Sequence, residues 1–326
     1  MLVGFFRSNQ PFSYLLLLII AVGLWWSPLI HIADYSWPHG MPLFEALYRN
    51  IKTQDSRMPY ALALSLICAG GFLLNYVINE NDITSKRTAI PGLVYVTLLS
   101  CSPSLTTLHP VLLANIFLIL AYHRIINLYR AQYAFAVIFD FSMLISLASL
   151  CYFPVICVFP VIWIGLFLYH PFVWREWLIA VFGIITPYLF VLTWFFWFDK
   201  LELFWYDKII LPISLSEENT PITTPTYYLI GALLFTITFS LVKTFDLFGS
   251  STVKSRKALV FMVWFMLFGF ISAFISPSWT FRDFALLSVP LTVFISHYFV
   301  NITREWMAEA IYLLLILCIL YVRIGS

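Results

Sequence analysis

Residues 177–198 read WLIAVFGIITPYLFVLTWFFWF. No charge interrupts the stretch. At 1.5 Å per residue it makes a helix of about 33 Å, long enough to cross the hydrocarbon core of a bilayer. Arg175 and Glu176 stand just before it, and Asp199 and Lys200 just after it. The same pattern repeats outward in both directions: long apolar blocks, with the charges gathered in short gaps.

The composition agrees. Of 326 residues, 62% are hydrophobic and 10% charged, against roughly 25% charged in soluble domains. In lipid, every backbone polar group must be satisfied inside a helix or a closed barrel. The blocks are too continuously apolar for barrel strands, which alternate. The expected fold class is therefore all-α, a polytopic transmembrane helical bundle forming one integral membrane domain over 1–326. Hydropathy predicts about eleven spans, within a range of roughly nine to twelve. The third, Ile90–Ser102, is short. The fifth and sixth, Tyr133–Leu150 and Phe153–Tyr169, are interrupted by Pro154 and Pro160, so one of these pairs could be a re-entrant hairpin. The first block, Phe12–Ile30, reads as a retained signal anchor, because Trp25, Trp26 and Pro28 occupy the place of a small-residue cleavage site.

The gaps orient the chain. Eleven of the eighteen Lys and Arg residues fall on the side of the N-terminus. The acids Asp34, Glu45, Asp55, Asp199, Glu202, Asp207, Glu217, Glu218 and Asp283 fall on the other. The positive-inside rule then predicts a cytoplasmic N-terminus. The two long gaps, 31–59 and 199–226, face outward. No nucleotide-binding glycine pattern occurs, which argues against an ATP-driven pump on this chain alone. A net charge of +2 gives no case for nucleic acid as a partner. The five cysteines lack metal spacing and read as small core residues. Nothing in the sequence predicts a cofactor or a metal.

Three constellations could carry chemistry. The first outer loop reads HIADYSWPHGMPLFEALYRNIKTQDSRMP over 31–59. Leu43, Phe44, Leu47, Tyr48 and Ile51 recur at helical spacing opposite Glu45, Arg49 and Lys52, with Pro42 at a first-turn position. This predicts a short amphipathic helix on the outer membrane surface. Asp34 sits just past the first span, near His31 and His39, and is either a general base at the lipid boundary or a solvated loop residue. His31, His39 and Glu45 are candidate substrate contacts. The second constellation is SPSWTFRDFALLSVP over 276–290. Arg282 can bind a phosphate bidentately and a helix start beside it would add to the attraction; an Arg282–Asp283 surface pair is the alternative. The third is Asp140, the one ionisable residue expected deep inside an apolar block. It could relay protons, bind a cation or pair with an arginine.

An N-in first span, an acid soon after it, an outward amphipathic helix, short middle spans and a late outward Arg282-Asp283-Phe284 entering an apolar helix together resemble the C-type membrane glycosyltransferase (GT-C) superfamily. The resemblance implies a polyprenyl-phosphate-linked sugar as substrate, Asp34 as the catalytic base and Arg282 near the lipid phosphate. The chain departs from that pattern in having a short first loop without a paired acid. Residues 149–190, with Pro171–Trp177 reading PFVWREW, also resemble a bacterial multi-spanning inner-membrane family of unknown function. These resemblances imply a bacterial cell inner membrane, with membrane lipid, lipid-linked sugar and envelope proteins as partners. From the residues alone, enzyme, transporter or flippase through Asp140, and non-enzymatic subunit of an envelope-assembly or secretion system all stay open.

Overall fold

The computed structural model describes residues 2–8, 10–25, 40–49, 57–101, 105–129, 134–206, 224–246, 249, 251–275, 282–302 and 305–325. Among the described residues there are helices and no strands. In order they are α1 (Leu2–Phe6), α2 (Pro11–Leu24), α3 (Pro42–Arg49), α4 (Met58–Glu80), α5 (Ile90–Leu99), α6 (Pro110–Asn127) and α7 (Ala134–Ser149). A 3-10 turn (Phe153–Val158) leads into α8 (Pro160–Tyr169), α9 (Trp174–Trp197) and α10 (Leu201–Trp205). Then come α11 (Thr224–Asp246), α12 (Val253–Ile275), a second 3-10 turn (Asp283–Leu287), α13 (Ser288–Asn301) and α14 (Glu305–Gly325). Proline sets many of the starts: Pro11, Pro42, Pro59, Pro91, Pro110 and Pro160 lie in first turns, where a missing N–H is harmless.

Among the described residues, seven helices are long and apolar enough to cross a membrane: α4, α6, α9, α11, α12, α14 and the run Asp283–Asn301 that ends in α13. Four further apolar helical stretches among them are shorter: α2, α5, α7 and Phe153–Tyr169. Pro154 and Pro160 both lie in the last of these. They open its 3-10 turn and its α-helix in succession.

The helices run back and forth between two poles. At the first, Arg7 pairs with Glu305 and donates to the carbonyls of Phe299 and Ile302. There too Ser85 meets Asn301, Lys254 meets Asn81, and Ser255 bonds the carbonyl of Ile83. At the second, Trp25 Nε1 donates to Ser100 Oγ, Arg323 donates to the Ser100 carbonyl, and Ser272 donates to the Pro154 carbonyl.

The middle of the bundle is the run Asp283–Asn301, 89% of whose apolar stretch is buried; the periphery is α9, with 17%. α9 is held by α7 through small residues. Ser146 Oγ donates to the Ile184 carbonyl at 2.8 Å, and Ser149 Oγ meets Tyr188 Oη at 2.7 Å. A Cβ built on Gly183 would fall 2.9 Å from the Phe139 carbonyl oxygen, so only glycine fits there. Beyond Tyr188, α9 outlasts α7 and exposes Phe190, Trp194, Phe196 and Trp197. Aromatics in that position suit a membrane interface. The five cysteines are all free thiols.

Candidate functional site

His109 ends the loop before α6 in an extended conformation, and its Nδ1 accepts the Val111 N–H at 3.3 Å. The side chain thus caps α6, and the proton of the neutral ring is assigned to Nε2. Tyr152 stands where α7 gives way to the 3-10 turn, with its backbone extended. The two rings meet edge to face, 5.8 Å between centroids. Tyr152 Oη then donates to Asp283 Oδ1 at 2.7 Å. Asp283 opens the second 3-10 turn, is 4% exposed, and follows the half-buried Arg282. Segments distant in sequence therefore converge on one pole.

The electrostatics follow from burial. His109 lies outside the spanning part of α6. Burial pushes its pKa down to about 3, and the Arg282 charge adds in the same direction. The imidazole is neutral at physiological pH. Asp283 is an acid at a helical start, where the peptide dipoles favour it. The turn behind it is fixed by Asn115. Its Nδ2 donates to the Ala285 carbonyl at 3.0 Å and to Ser288 Oγ at 3.1 Å, both inside the core. The chemistry available is a cation at the rim, a carboxylate locked beneath it by a phenol, and a neutral imidazole alongside.

The amphipathic segment predicted in the first outer loop is α3, and it lies at this pole. The Leu43 N–H donates to the Leu150 carbonyl at 3.3 Å, and Phe44 packs against Leu108. Glu45 is carried in its first turn. Arg282, Asp283 and the α3 segment bearing Glu45 are therefore brought to one end. Asp34, His31 and His39 lie outside the described residues.

Asp140 does not join them. It stands in the second turn of α7 and pairs with Arg124 at 3.5 Å, both side chains part-exposed. That is the half of α7 away from Tyr152. Of the roles open to Asp140 from the sequence, pairing with an arginine is the one seen here, because the last turn of α6 supplies Arg124 beside it.

Among the described residues, no three of His, Cys, Asp and Glu gather closely enough to hold a metal ion. Tyr152 and Asn115 were not singled out by sequence reasoning, since each looks like an ordinary core residue until its partner is known. His109 carried one signal, a histidine directly before a proline that starts a helix. In the PFVWREW segment, Glu176 is buried and pairs with His170 at 2.9 Å, tying the end of α8 to the first turn of α9. Comparison with protein-family models and with curated proteins returns no match for this chain.

Proposed function

We propose that this chain is an eleven-span protein of a bacterial inner membrane, N-terminus in the cytoplasm, whose second pole acts on a polyprenyl-phosphate-linked sugar at the outer face. The alternation of helix ends between the two poles supports eleven spans. A short helix can serve as a span when protein covers the rest of its path, and α5 is buried over nearly its whole length. The basic gaps support the orientation.

The observation that carries the reading is the convergence of Arg282, Asp283, Tyr152, His109 and α3 at that pole. In the transfer, Asp34 takes the proton of the acceptor hydroxyl, whose oxygen bonds to the sugar's anomeric carbon. The bond from that carbon to the phosphate oxygen breaks, and the lipid phosphate leaves with its negative charge. Arg282 holds that phosphate, while Asp283, pinned by Tyr152, positions Arg282. The neutral His109 adds no second cation.

The test is transfer of sugar from a synthetic polyprenyl-phospho-sugar by the purified protein in nanodiscs. Asp34→Asn is expected to abolish transfer. Arg282→Ala is expected to raise the KM for the lipid at least about tenfold, with Arg282→Lys falling between, since lysine keeps the charge but loses the bidentate fork. Unchanged polyprenyl-phosphate binding in Arg282→Ala would overturn the reading. A transporter working through Asp140 gains no support from an acid already paired with Arg124.

A further inference from the structure

We infer that α3 is a lid over the second-pole site, with Phe44 as its latch; the inference rests on reading that pole as the site of a lipid-borne phosphate. The contacts of α3 fall on the immediate chain neighbours of the site residues. Leu43 bonds to Leu150, two residues before Tyr152. Phe44 packs on Leu108, the residue before His109. A helix resting on both neighbours covers the approach to the His109–Tyr152 edge.

The manner of docking is that of a separable part. Phe44 and Leu108, each 1% exposed, form a small apolar cluster with Leu62 and Leu66, joined to the main core through Leu66. Leu43 touches the edge of the main core, and Met41 is buried beside it. Leu47, one turn further along the same face, is exposed. Gly40 is part of the latch: a Cβ there would lie 3.2 Å from Phe44 Cγ, so glycine lets the ring fold back over the approach to the helix. A helix of eight residues has little stability without docking. Lifting this one eight-residue helix, with its side-chain contacts and the Leu43 hydrogen bond, is therefore a local opening, far smaller than unfolding the bundle. Docked, α3 shields the site; lifted, it uncovers Leu108 and the imidazole side, so a headgroup can reach Asp283 and Arg282.

The experiment uses the full chain in nanodiscs with Leu108→Cys as its sole cysteine, the five native cysteines being replaced by serine or alanine. The rate of labelling by a membrane-impermeant maleimide reports uncovering of residue 108. Slow labelling is expected with Phe44 present. In Phe44→Ala the rate should rise about a hundredfold, the scale expected on removing a buried aromatic contact. Equal rates in the two proteins would overturn the lid. A second measurement needs no variant: amide hydrogen exchange of Leu43 in the native protein. It should exchange far faster than the mid-helix amides of α4, and equal protection would also overturn the lid. Exchange across α4 should match in Phe44→Ala and its parent, which separates lid opening from misfolding. Neither measurement involves substrate, so their failure removes the lid alone, whereas failure of Arg282→Ala to weaken phosphate binding removes the site.

Discussion

Tyr152 is the residue on which the second pole depends. Its hydroxyl reaches Asp283 across 131 positions of sequence. Tyr152→Phe takes a donor from a buried carboxylate, a change that costs about 1–3 kcal/mol. The expected outcome is a lower Tm in detergent together with weaker polyprenyl-phosphate binding; an unchanged Tm would mean that this bond does not hold the turn. His109 gives a pH signature. The unfolded chain takes up a proton at this residue near pH 6.5, whereas the folded chain resists until about pH 3. Its contribution to stability is thus complete above pH 6.5 and is lost as pH falls below it, by about 2 kcal/mol at pH 5. His109→Asn keeps a helix cap but removes the titration. Its Tm should decline less between about pH 7.5 and pH 5 than that of the parent. Asp140 makes the opposite expectation. A part-exposed ion pair is worth about 0–1 kcal/mol, so Asp140→Asn should leave Tm and sugar transfer nearly unchanged. A large loss of either would return Asp140 to a functional role.

At the scale of elements, the contact of α7 with α9 is the most sharply specified. Ser142, Ser146 and Ser149 face Gly183, Ile184 and Tyr188, and the close approach rests on the absence of a side chain at Gly183. Gly183→Leu is expected to destabilise by about 1–3 kcal/mol through overpacking, with Gly183→Ala costing less. Melting curves in detergent check this, and a Gly183→Leu protein as stable as its parent would mean that α9 can shift outward without loss. The partner of α9 was not legible in its sequence, because a helix apolar on every face gives no direction of burial. By contrast, α3 was legible: Leu43, Phe44 and Leu47 recur at helical spacing against Glu45 and Arg49. What its sequence withheld was the location of its apolar face. Phe44 inserts between Leu108 and α4 while Leu47 stays exposed.

At the scale of the whole molecule, the two poles make the topology testable. Single cysteines at Lys86 and Lys200 should label from opposite sides of the membrane, position 86 from the cytoplasm and position 200 from outside. Labelling of both from one side would overturn the alternation of helices and the orientation together. The sequence by itself determined the class of protein, because the cost of unsatisfied backbone groups in lipid leaves a continuously apolar chain only the helical bundle. It also determined the helix starts, since proline and the capping histidine act locally. The tertiary structure alone decided which charges meet. It set Asp283 under Tyr152 at one pole and Asp140 beside Arg124 at the other. The reason is physical: in an apolar chain the charges show where helices end, while the pairing of those ends comes from packing between helices, through small residues and single hydrogen bonds that leave no periodic mark on the sequence.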